Sequence, residues 1–375
     1  MNKLLIVIRS LIMIALGLIV GHSAIHANTN TLAESVYKAP TTAVSDQLIK
    51  SRLENLSGVI DINYTPEVGK RIREYTVNWR VAGERILGRV DLFFPLFEQE
   101  IYKRNLPEEL KYIAVVESNL DPLAYSHAGA VGLWQFIKST GRMKGLKIDN
   151  YIDERKDPAK STSAALDYLT DLYEKFGDWT LAIAAYNCGP GNVRKAIRRA
   201  NSTDFWVIRR FLPNETQKYV PRIIAAMYLM QYYHAHDLVP AIVDEDIKYV
   251  TRIQDGKAHN FKDLSQSLGV SYQTIRALNP QFKTIYFPKN DGHLNLVIPS
   301  SKYEKYLELY NPTGYQQLLG ELRLIEHLNK EQARMIDIRQ NKIKQLQPLK
   351  SILSQAIIPQ KWRRDVDIVF QSIET

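Results

Sequence analysis

Apolar residues recur at three- and four-residue spacing through most of this chain, a rhythm that predicts a mainly helical protein. Between residues 51 and 104, Tyr75, Trp79, Ile86, Val90 and Phe94 keep that spacing. The run Phe93-Phe94-Pro95-Leu96-Phe97 is expected to break it, because proline lacks an N–H and clashes with the preceding turn. The next helix starts at Leu106-Pro107, with Glu108 and Glu109 in its first turn, where the helix dipole favours negative charge. Leu110, Ile113 and Ala114 mark its apolar face. One turn further along that face stands Glu117, followed by Ser118. A carboxylate there points into the protein or into a cleft. It must either pair with a buried cation or shift its pKa upward, and the helix alone leaves both readings open.

Later elements are well punctuated. Asp157-Pro158 starts a helix whose face is Leu166, Leu169, Leu172, Tyr173 and Phe176, and Gly177 ends it. Asp178-Trp179 opens an alanine-rich helix that Gly189-Pro190-Gly191 must terminate. Asn192 is expected to cap a helix through Ala200. Residues 214–236 form another, with Val220, Ile223, Ile224, Met227 and Leu229 inward. Between the helices, Ser126 to Gly132 leads into Leu133-Trp134-Gln135-Phe136 as turns or short strands, and residues 141–156 read as a loop. Polarity changes near Leu238-Val239-Pro240. Residues 247–299 then read as a small βααβ unit, with helices from Phe261 to Leu268 and after the capping Ser271. A helical tail, 301–375, follows, divided by Pro348 and Pro359.

Composition adds an address. The first 27 residues carry Lys3 and Arg9, an apolar run from Leu11 to Val20, and Ala24 and Ala27 as small residues for cleavage. They read as a signal peptide, with an uncleaved membrane anchor as the alternative. Residues 28–50 are polar and read as a flexible leader, and 51–240 as the main domain with its N-terminal helices. Cys188 is the only cysteine, which excludes an intrachain disulfide and a lipoprotein anchor next to the signal. The formal charge of +9 falls to +7 without the two basic residues of the signal. That excess suits an acidic polymer or a membrane surface, and export argues against nucleic acid as partner. The eight histidines show no ligand spacing, so no metal or cofactor is implied.

Four short motifs converge: Glu117-Ser118, Gly132-Leu133-Trp134-Gln135, Ala185-Tyr186-Asn187 before a glycine turn, and Tyr219-Val220-Pro221. In that order and spacing they closely resemble the lytic transglycosylases of the lysozyme-like superfamily, of the membrane-bound transglycosylase D type, over residues 85 to 235. Trp134 stands where the family most often has Met, and Cys188 where Ala or Ser is more usual. The resemblance implies a lysozyme-like α+β catalytic domain and peptidoglycan glycan strands as substrate. Glu117 would be the general acid and then the base. It implies substrate-binding roles for Ser118, Gln135, Tyr186, Asn187 and Tyr219, Tyr186 holding either the Glu117 carboxyl or an acetamide. Asn187 is open between binding substrate and capping its helix, and Trp134 between stacking on a sugar and filling the core.

The βααβ unit resembles a LysM module, though the usual Gly-Asp-Thr-Leu opening is missing and Gly256-Lys-Ala-His stands nearby. Such a unit implies glycan binding, with a structural appendage as the alternative. Rival readings of the whole are a hydrolytic muramidase, with Asp121, Asp149 or Asp153 as base, and a silent wall-binding scaffold.

Overall fold

The computed structural model describes residues 44–355. The signal segment, most of the leader and Pro359 lie outside the described residues. The first helix, Asp46–Glu54, begins inside the segment read as a flexible leader. Ser45 caps it and Ile49 is fully buried, so the apolar anchor at Ile49 overrides the polar composition around it.

A long helix, Arg80–Lys103, then runs straight through Pro95, where the sequence predicted a break. Pro95 is on the exposed side, so the carbonyl that loses its donor can meet water. On the opposite side Phe93, Phe94 and Phe97 are buried, and three packed rings outweigh one missing hydrogen bond.

The main core closes around the helix Tyr219–Tyr232. From Tyr219 to Leu229 every residue except Arg222 is buried, as expected of a helix that is apolar on all sides. Against it pack the helices Pro66–Arg73, Tyr112–Ser118 and Trp179–Cys188. Ala182, Ala184 and Ala185 in the last of these are fully buried, and their small side chains permit the close approach. Asp157 caps Pro158–Phe176 through the amides of Ala159 and Lys160, and Asp178 caps Trp179–Cys188. The next helix is Pro190–Ala200, starting three residues earlier than a cap at Asn192 predicts. Gly189, at φ 83°, makes the break and Pro190 takes the first helical position, so Asn192 lies inside the first turn. The segment read as a loop from residue 141 starts within a short helix, Lys138–Met143.

The second core is built on the expected βααβ order, with one addition. Strands β1 (Val250–Gln254) and β4 (Asn295–Pro299) pair antiparallel, Arg252 opposite Val297. A two-residue ribbon joins β2 (His259–Asn260) to β3 (Tyr286–Phe287). The helix Phe261–Leu268 packs beside β2 and the helix Tyr272–Leu278 beside β4. The core continues past residue 299: Tyr306 and Leu307, on helix Tyr303–Tyr310, are buried in it. Tyr306 donates its hydroxyl to Asp255, which also bonds His259 at 2.8 Å. Ile152, far upstream, is buried in the same core. The final helix, Pro312–Gln355, passes Pro348 without the division the sequence suggested. No helix among the described residues is long and apolar enough to cross a membrane.

Candidate active site

The Glu117 segment starts as a tight 3₁₀ turn, Glu108–Lys111, and relaxes into the α-helix Tyr112–Ser118. Leu110, Ile113 and Ala114 are fully buried, so the face that the spacing singled out is the one that packs. Glu117 closes that face, half-buried. Asn119 and Leu120 then turn the chain away with φ of 51° and 57°. The carboxyl is not ion-paired. Its Oε1 accepts a 2.5 Å hydrogen bond from the Tyr219 hydroxyl, the first residue of the central helix. Burial pushes the Glu117 pKa up to about 7; the Tyr219 bond opposes this, the charge of Glu215 adds to it, and Arg222 opposes it through space. Tyr219 is itself buried, which pushes its phenol well above the usual range, with the Glu117 charge acting in the same direction. It therefore remains a donor at neutral pH.

Opposite Glu117 runs the loop 125–136. Val131 bridges both Tyr125 and Phe136. Gly132 has φ +85°, and a Cβ there would lie 2.0 Å from the carbonyl oxygen of Arg155, so only glycine fits. The Ser118 hydroxyl lies 2.9 Å from the carbonyls of both Ala114 and Leu133. Buried in this way, it ties the Glu117 helix to the loop and does not reach outward. Trp134 is fully buried, donates to Thr162 at 2.9 Å and packs 5.1 Å from the Phe97 ring, so it is core and not a sugar platform. Gln135 sits at φ 48°, a left-handed conformation uncommon outside glycine. Its side-chain NH₂ donates to Gly132 at 2.8 Å and Ala124 at 3.2 Å, leaving its carbonyl oxygen as an acceptor.

Tyr186 donates to the Trp134 carbonyl at 2.7 Å. It thus holds the loop and not the carboxyl, which Tyr219 takes in place of the Tyr186 expected from the sequence. Burial and the nearby Glu117 charge push the Tyr186 phenol well above its usual range. Asn187 accepts from the Thr216 hydroxyl at 2.7 Å, and its helix is closed by Gly189. Asn187 is therefore not the cap. It fastens the short helix Asn214–Gln217, which carries Glu215, to the site. Cys188 donates to the Ala184 carbonyl at 3.3 Å, and burial pushes its thiol up, so it is packing and not a nucleophile.

The three aspartates weighed as bases have other partners. Asp121 pairs with Arg89 at 3.4 Å. Asp149 accepts from the amides of Tyr151 and Ile152 at 2.8 and 2.7 Å, which hold its carboxyl below the usual range. Asp153 is buried against Arg155 at 2.7 Å. Sequence reasoning missed Glu215, Thr216 and Arg222, whose short-range spacing gives no sign that they approach Glu117 and Asn187. Among the described residues no group of three or more His, Cys, Asp or Glu could hold a metal ion. A cavity of about 460 Å³ lies elsewhere, between the two cores, lined by Arg89, Leu120 and Val297 among others.

Residues 95–208 match the transglycosylase SLT domain, and residues 249–313 match the LysM-like domain of lytic transglycosylase MltD. Membrane-bound lytic murein transglycosylase D of Escherichia coli strain K12 is 38% identical over 189 residues, 49% of this chain and 41% of that protein. Membrane-bound lytic murein transglycosylase F of Desulfosudis oleivorans is 28% identical over 180 residues, 45% of this chain and 36% of that one. The soluble lytic murein transglycosylase of Escherichia coli K12 is 29% identical over 165 residues, 40% of this chain and 25% of the relative. The chain thus spans less than half the length of these curated relatives.

Proposed function

We propose that this chain, whose residues 95–208 belong to the transglycosylase SLT domain family, is a peptidoglycan lytic transglycosylase. Its substrate is the β-1,4 bond from N-acetylmuramic acid to N-acetylglucosamine. The observation that carries the reading is a desolvated carboxyl with a pKa near 7, bonded to a phenol and to no cation. Such a group is protonated often enough to act as an acid and ionised often enough to act as a base at neutral pH.

Glu117 gives its proton to the glycosidic oxygen. The bond from that oxygen to muramic C1 breaks with its electron pair going to the departing sugar. The substrate's own N-acetyl oxygen supports the positive C1. Ionised Glu117 then takes the proton of the muramic C6 hydroxyl, whose oxygen closes on C1 to leave a 1,6-anhydro end. Water is not consumed, so one carboxylate suffices where most glycosidases need two. Tyr219 holds the carboxyl in place and stabilises its ionised form. The free acceptor of Gln135 suits an acetamide N–H, and the amide of Asn187 supports binding on the far side. Ser118 and Tyr186 act one layer back, by fixing the loop.

A specific observation supports one alternative. The charge of Glu215 acts on Glu117, and in a hydrolytic muramidase Glu215 would activate water. Glu215→Gln would then abolish turnover; in the transglycosylase it lowers the Glu117 pKa and leaves turnover within about tenfold. A silent scaffold is tested by Glu117→Gln on purified sacculi. Release of soluble muropeptides should fall by roughly 10²–10⁴-fold, and unchanged release would contradict the assignment. The signal-like start and the basic balance support export and action in the cell envelope, against the wall or a membrane surface. For the LysM-like unit the proposed role is glycan binding, a reading that its match to a LysM-like domain supports.

A further inference from the structure

One buried side chain near the site has no role in the chemistry yet lies in a segment that reaches both cores. Arg155 and Asp153 are 7% and 5% exposed, and their side chains form a two-pronged pair at 2.9 and 2.7 Å. The remaining prong of the guanidinium donates to the carbonyls of Gly129 at 3.0 Å and Phe136 at 3.1 Å, the two ends of the stretch 129–136 within the loop 125–136. Between those ends, Gly132 rests directly on the Arg155 backbone. A planar fork with five fixed donors can reach these acceptors together, and an ammonium cannot.

The same short segment is fastened to the LysM-like unit. The Asp153 amide donates to the Gln281 carbonyl at 2.8 Å, and the Lys283 amide to the Tyr151 carbonyl at 2.8 Å. Ile152, between them, bridges Phe282 and is buried with it in the second core. Only two residues therefore separate the anchor in one core, Ile152, from the clamp on the loop of the other, Arg155. The loop is held from the Glu117 side by Ser118 and Tyr186, and from the far side by Arg155.

We propose that Arg155 is a positioning residue, and that docking of the LysM-like unit on Ile152 sets the loop 129–136 in the conformation that presents Gln135. The unit is then a working part of the cleft in addition to any glycan it binds. Gln135 stands in a left-handed conformation, and such a conformation persists only where its surroundings hold it. The proposal rests on the transglycosylase reading for its effect on turnover and is independent of it for its effect on the loop.

The test uses the full chain with Arg155→Lys and, separately, Ile152→Asp. Amide hydrogen exchange should speed up at least tenfold across 129–136 in both, while the helices Pro158–Phe176 and Tyr219–Tyr232 keep their protection. Release from sacculi should fall at least tenfold, with the pH midpoint of the residual rate unmoved, because Tyr219 holds Glu117 from another helix. Unchanged exchange in 129–136 overturns the proposal whatever the activity. A loosened loop with full turnover overturns the positioning role and leaves Glu117 untouched. Wild-type protein that releases nothing defeats the transglycosylase reading instead, and the exchange result still decides whether docking sets the loop. Should Ile152→Asp fail to fold, Phe282→Leu weakens the same contact and the same outcomes apply.

Discussion

Two carboxylates in this fold lie in low-dielectric surroundings, and they have opposite chemistry. Asp153 is buried against a guanidinium, and that pair holds its carboxyl below the usual range despite the burial. Glu117, half-buried, has its carboxyl desolvated against a phenol, with another carboxylate acting on it, and its pKa rises to about 7. Burial is common to both. The partner decides whether the group becomes a structural ion or an acid that can give up and recover a proton.

The contrast can be broken from either side. The largest expected effect is on turnover, the roughly 10²–10⁴-fold loss in Glu117→Gln. The largest effect on stability belongs to the other carboxylate. Arg155→Met leaves Asp153 buried and unpaired, and denaturant unfolding should show a loss of about 3–5 kcal/mol. Arg155→Met combined with Asp153→Asn should recover most of it.

Titration separates the groups further. The Glu117 pKa is raised from 4.5 to about 7, so the folded state binds the extra proton between those values. Stability contributed in this way is present at low pH and is lost as pH rises through 7, by about 3 kcal/mol. His236 runs the other way. Burial lowers its pKa from 6.5 to about 4, and the neighbouring Arg52 and Arg80 charges add to the effect. The unfolded chain then binds the extra proton, and stability is lost as pH falls from 6.5 through 4. Across the shared window the two slopes nearly cancel. Unfolding midpoints of Glu117→Gln should climb steeply from pH 4 to 6.5, and those of His236→Gln should decline from pH 4.5 to 7. Identical profiles for wild type and both variants would contradict the pKa assignments.

The smallest effect sharpens the role of the phenol. Tyr219→Phe removes the donor that lowers the Glu117 pKa, so the midpoint of the rate against pH should move upward, with a rate loss of about tenfold. A downward shift would assign the Tyr219 bond to the neutral acid.

Local signals made Glu117 legible. Three apolar residues at helical spacing define a face, and the next position on that face is a carboxylate. The helix boundaries at Asp157, Gly177, Asp178 and Gly189 were legible for the same reason, since caps and stops act within one turn. The partner of Glu117 could be placed in the site but not on the carboxyl, because Tyr219 lies 102 residues away in sequence. Tyr186 carries the same chemistry, and the sequence pointed to it for the carboxyl instead. Pro95 misled because its cost is local while the gain, three buried phenylalanine rings, is tertiary. Ile152 gave no signal at all, since its partner Phe282 belongs to another core. Glu215 looked like any surface acid on a short polar segment.

The central claim is that Glu117 works without a water nucleophile, and its products report on this directly. Sacculi digested in ¹⁸O-labelled water should yield muropeptides with 1,6-anhydro ends and no incorporated label by mass spectrometry. Reducing ends carrying one ¹⁸O would mean that water attacks C1, and the single-carboxylate account would be wrong.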